Sequence, residues 1–227
     1  MSKVPLYLLV TLLLATFLAG CGSYEIKNLA KSDIDLVADE FIAESRREVR
    51  ELLIKLYKRN PDQLAKIPGM TVEGRLAQLK TTRGALAFLE LDGLQGIDAM
   101  NLTFDPQFRG DRVFALVVGL GGMLRQAYGY KPELFIHDQL NAAALLTSAR
   151  NVEVLLWKLK NTRKPNGELY LITYEYQGVI DNLSFERLFG KLIVLQEMMA
   201  RIAGDSGDRA VTSAVHAVSS AFLPLPI

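Results

Sequence analysis

The chain has 227 residues, half of them apolar, with 26 Lys+Arg against 25 Asp+Glu, one Cys, one Trp and two His. That length holds one well-buried domain or two small ones, and the even charge excludes the basic surplus expected of a nucleic-acid binder. A single cysteine excludes an internal disulfide and a thiolate metal site, and the apolar half excludes a wholly disordered chain.

Met1-Ser2-Lys3 is a short basic start, and Val4 to Leu18 is an apolar run broken only by Pro5, Tyr7 and two threonines. A membrane-spanning helix needs roughly 20 apolar residues, and this run stops short of that. Small residues follow at Ala19 and Gly20, and the lone Cys21 comes directly after them. Charged lip, greasy middle and small-residue exit together have the form of a secretory signal.

Leu18-Ala19-Gly20-Cys21 resembles a lipobox, the processing motif of bacterial lipoproteins. The resemblance covers only about the first twenty residues. It implies cleavage between Gly20 and Cys21, a thioether-linked diacylglycerol on Cys21, and acylation of the new amino terminus. Gly22 stands where, by the enteric sorting rule, an Asp would mark inner-membrane retention, which implies the periplasmic face of the outer membrane. Two or three acyl chains, at about 0.8 kcal/mol per buried methylene, hold a protein on a bilayer without help. No second signal is expected, because loss of residues 1–20 removes only Lys3 and leaves a net charge of zero, with no polybasic segment. The rest of the chain is similar to proteobacterial lipoproteins without a defined activity, which implies no chemistry.

Three regions are therefore expected: a signal peptide at 1–20, a lipidated tether at 21–31 and a helical periplasmic domain at 32–227. Ser32-Asp33-Ile34-Asp35 resembles a capping box with Asp in the Glu position, and its acidic first turn suits the helix dipole. Ile34, Val37, Ala38, Phe41, Ile42, Val49, Leu52, Leu53 and Leu56 then recur at helical spacing up to Asn60-Pro61. A short turn of helix follows Pro61, and Thr71 caps another that carries Leu76 and Leu79. Residues 81–109 read as irregular, with helix in pieces.

Asp111 to Tyr128 is apolar on every side, which predicts a helix in the centre of a bundle. Asp138 to Lys160 reads as a long amphipathic helix. Pro165-Asn166-Gly167 is a turn, and Leu169 to Tyr174 has strand chemistry without a convincing second strand. Ser184 opens a helix to about Ala203, and Asp208 to Ala221 forms the last one. The expectation is a mainly α, single helical-bundle domain with at most a small β element near 168–177.

Chemistry-bearing residues are few. Gly119, Gly121 and Gly122 lie inside a helical pattern rather than between a strand and a helix, so close helix approach explains them better than a phosphate loop. His137 and His216 are the only imidazoles. Either could serve a nucleophile at Ser148 or Ser184, but no Gly-x-Ser-x-Gly elbow exists, and Asp138 reads as a helix cap. Asp33, Asp35, Asp39 and Glu40 match no calcium-loop spacing. Tyr170, Tyr174 and Tyr176 alternate along one face of the extended segment, better suited to packing than to a partner surface. Ala221 to Ile227 is an apolar strip around two prolines, expected to fold back on the bundle.

The functional expectation is a non-catalytic lipoprotein that tethers, scaffolds or assists assembly of another envelope component. Its partners are the membrane, through the acyl chains on Cys21, and an envelope protein; nucleic acid is not among them. No catalytic, cofactor-binding or metal-binding residue is assigned. Two other readings stay open: a carrier or sensor of an apolar ligand held near residues 113–124, and a periplasmic enzyme with an unrecognised site.

Overall fold

Ser32 starts the fold as its sequence predicts. In the computed structural model, which describes residues 31–173 and 183–205, the Ser32 hydroxyl accepts from the Asp35 N–H at 3.3 Å. The Asp35 carboxylate takes the Ser32 N–H in return, at 2.7 Å. This reciprocal cap satisfies two donors that a helix start leaves open. Helix α1 (Asp33–Arg59) runs from it and ends on Asn60, a length of roughly 40 Å at 1.5 Å per residue.

Short helices α2 (Pro61–Ala65) and α3 (Val72–Thr81) follow, then a 3-10 turn at Leu89–Leu91 and α4 (Gly96–Leu102). Helices α5 (Arg112–Ala127), α6 (Ala142–Asn161) and α7 (Ser184–Asp205) complete the described domain. It is mainly helical, and no strand occurs among the described residues. Among them too, no helix is long and apolar enough to cross a membrane.

Helix α5 is the central element that its all-round apolarity predicts. Every residue from Arg112 to Leu124 is buried, and α5 packs against α4, α1, α6 and α2. Its glycines explain the closest approach. A Cβ on Gly119 would lie 2.4 Å from the Met100 nitrogen and 2.6 Å from the Gly96 oxygen, so α4 lies directly on the bare backbone of α5.

Two arginines on α5 serve its neighbours. Arg125 donates to the carbonyls of Leu79, Thr82 and Gly84 at 2.7, 2.8 and 3.1 Å, closing the end of α3. Arg112 donates to the carbonyls of Leu102, the last residue of α4, and of Thr103, Asp105 and Phe108 beyond it. A helix C-terminus leaves carbonyls unpaired and carries partial negative charge. Each guanidinium answers both at once.

The expected strand chemistry near 169–174 has an explanation in Asn60. Its side-chain amide donates to the Ile172 carbonyl at 3.0 Å and accepts the Ile172 N–H at 2.7 Å. One side chain thus supplies what a second strand would. Beyond it the segment makes a single antiparallel bridge, Arg163 to Leu169. The rest of the expected β element, with Tyr174 and Tyr176, lies outside the described residues, as do His216, the helix expected at 208–221 and the strip at 221–227.

Two expectations are corrected. Helix α6 begins at Ala142, not Asp138, because the Asn141 side chain caps it by accepting the Ala144 N–H. Asp138 instead closes the preceding turn, accepting the Phe135 N–H at 3.0 Å and pairing with Lys131. On α1, Ile34 and Val37 carry the core periodicity yet are 37% and 39% exposed. Helices α1 and α7 run antiparallel, with Gln196 on Ser45 and Lys191 on Glu48. That register places the last described turn of α7 beside Val37.

Candidate functional site

Gly20 and Cys21 lie outside the described residues. Of the hydrolytic candidates, Ser148 is fully buried between α6 and α7. Its hydroxyl donates to the Leu145 carbonyl at 2.7 Å, and Gln196, 3.3 Å away, continues to Ser45 on α1. His137 is exposed in the loop before α6, so the fold does not bring it to Ser148. Ser184 begins α7. Two of the acidic residues at the start of α1 are already engaged. Asp35 belongs to the cap, and Asp39 accepts the Leu134 N–H at 2.8 Å and pairs with Lys31. Among the described residues no three His, Cys, Asp or Glu side chains gather as metal ligands.

Three features stand out once the fold is assembled. The first is a buried ionic cluster. Arg75, fully buried, makes a two-armed contact with Glu90. It also donates to Asp111 at 3.1 Å and stacks 3.7 Å above the Phe114 ring. The Tyr57 hydroxyl donates to the same Asp111 oxygen at 2.6 Å, and the other oxygen caps α5 through the Phe114 N–H. Burial pushes the Asp111 carboxyl up, while Tyr57, Phe114 and Arg75 pull it down. The Tyr57 phenol is pushed well up, first by burial and then by the Asp111 charge. The cluster joins α1, α3, the 3-10 turn and α5, and its geometry is that of a clamp.

The second feature is an open groove of about 750 Å³ at the end of α1, beside Asn60. Gln63, Tyr170 and Ile172 line it together with Asp62, Arg163, Lys164 and Glu168. Gln63 is held by the Arg112 N–H at 3.0 Å and the Lys66 ammonium at 2.8 Å. Leu169, Tyr170 and Ile172 give the groove an apolar side beside the amides of Asn60 and Gln63, and with charges of both signs at the rim this mixed lining suits an extended peptide-like partner.

The third feature is a loop at the opposite end. Helix α5 stops in a Schellman motif, with the Tyr130 N–H on Arg125 and the Gly129 N–H on Gln126. Gly129 takes the positive φ that this motif requires, and Tyr130 follows at φ 60°. The chain then folds over the first turns of α1. Leu134 is buried there, and Lys31 bridges Asp39 and Glu133. The Lys31 ammonium lies 4.9 Å above the Phe135 ring. Phe135 and Ile136 project outward, 38% and 63% exposed.

Neither the clamp nor the loop is anticipated from sequence. Arg75 looks like an ordinary solvated residue of an amphipathic helix, and its partners are 15 and 36 positions away. Phe135-Ile136 offers a weak signal, two large apolar residues beside Lys131-Pro132 turn chemistry. Compared with protein-family models, curated proteins and solved structures, the chain matches none.

Proposed function

We propose that the chain is a lipid-anchored protein of a bacterial cell envelope, held on the periplasmic face of the outer membrane by acyl chains on Cys21. It acts by binding another envelope protein and carries out no reaction. The observation that carries this reading is Leu18-Ala19-Gly20-Cys21, in register after a charged start and an apolar run too short to span.

The geometry of α1 supports it. The lipidated segment enters the domain at Lys31, before the first turn, and the groove opens at Asn60, after the last. Roughly 40 Å of helix separates them. A bilayer at the first end leaves the second free to hold a partner in the periplasm.

Charge reversal at the groove tests this directly. The double variant Arg163→Glu, Lys164→Glu should keep its abundance and lose a protein that co-purifies stoichiometrically with the parent from detergent-solubilised envelopes. Equal retention by parent and variant would contradict it.

A further inference from the structure

The start of α1 and the loop pinned to it through Asp39 and Lys31 carry a set of exposed apolar side chains, a collar. Ile34, Leu36 and Val37 are exposed on the helix, and Tyr130, Phe135 and Ile136 on the loop. These are six of the twelve large hydrophobic side chains that stand exposed among the described residues, so the collar is a concentration and not a scatter. Its position is fixed by Lys31, the first described residue. Lys31 pairs with Asp39 of α1 and Glu133 of the loop and lies over Phe135. The chain therefore enters the domain through the middle of the collar.

We infer that this collar seats in the bilayer interface, with Phe135 and Ile136 dipping among the acyl chains and Tyr130 at the headgroups. The inference rests on the anchor at Cys21. From Cys21 to Lys31 the chain reaches at most about 35 Å, and the point it reaches is the collar. An aromatic with a polar tip, an aromatic without one, a β-branched residue and the half-exposed Lys131 are the composition of an interfacial contact. The contact would orient α1 away from the membrane and turn the groove toward the periplasm. A lipid chain alone leaves that orientation free.

The chain has one tryptophan, Trp157, half-exposed on α6 about 22 Å along the helix from Ala142, where the loop ends. It is an internal control. The acylated full chain is placed in vesicles of phosphatidylethanolamine and phosphatidylglycerol, with and without bromine on the acyl chains. The parent reports Trp157. Two single-tryptophan variants, Ile136→Trp and Phe135→Trp, each in a Trp157→Phe background, report the collar.

Emission from position 136 should fall about twofold or more in brominated vesicles, while Trp157 emission stays unchanged. Position 135 should follow position 136. Acyl label on Cys21 with no quenching at 135 or 136 would overturn the collar and leave the anchor standing. A blue-shifted but unquenched signal would mean that protein covers the collar, either residues 206–227 or another chain, and would overturn it equally. Absence of acyl label on the parent would remove the anchor itself, and the collar with it.

Discussion

The backbone nitrogen of Met100 occupies the space where a side chain on Gly119 would begin, 2.4 Å from the position of its Cβ. Neither partner can move without shifting a helix, since the Gly96 oxygen stands 2.6 Å away on the same side. Gly119→Ala should therefore cost about 3 kcal/mol, at the upper end of overpacking effects. Gly121 faces only the tips of Leu86 and Val49, at 3.3 and 3.6 Å. Gly121→Ala gains helix propensity against a small shift and should stay within about 1 kcal/mol of the parent. Urea unfolding of the two variants decides. Equal losses would mean that α4 does not lie on α5 as described.

Arg75 makes a second stability claim. Removing one member of a buried ionic cluster strands the others, at a cost of about 3–5 kcal/mol. Arg75→Met should show that loss. Glu90→Gln should cost about 1 kcal/mol, because the Glu90 side chain keeps 27% exposure to water. Asp111→Asn combined with Arg75→Met should cost less than the sum of the two single changes, since each removes the other's unpaired charge. Strict additivity in chemical unfolding would show that the two groups do not interact.

Much of the fold is legible in the sequence because its signals are local. Ser32 and Asp35 sit three residues apart and reveal the cap, and α5 displays its central place through unbroken apolarity. Other features depend on partners far along the chain. Asn60 reads as a helix stop, yet it also pairs with Ile172, 112 positions on. Asp138 has the chemistry of a cap, and only the competing Asn141 shows which residue starts α6. Ile34 and Val37 have core periodicity yet stand more than a third exposed, because periodicity marks a face and not which of its positions a neighbour covers. The clamp at Arg75 and the groove at Asn60 arise from such distant meetings, which no spacing rule encodes.

Acid below the ordinary carboxyl range should loosen the collar loop. The Lys131 ammonium holds the Asp138 carboxyl below the usual range against desolvation, with further help from the Phe135 N–H. A carboxyl depressed in the folded state stabilises it above the unfolded value, near ~3.9. That contribution is lost as pH falls through the lower folded value. Amide exchange at Phe135 should therefore quicken only below the ordinary carboxyl range, and in Asp138→Asn that pH dependence should vanish. A midpoint at or above ~3.9 would contradict the pairing.

The central claim is attachment through Cys21, and a single substitution reads it most directly. Cells carrying the parent or Cys21→Ser are grown with an alkyne-tagged fatty acid, and the protein is recovered and examined for label and mass. The parent should be labelled and lack residues 1–20. Cys21→Ser should be unlabelled and keep the mass of the uncleaved chain. Labelling and mature mass in the Cys21→Ser protein equal to the parent's would contradict the account at its base.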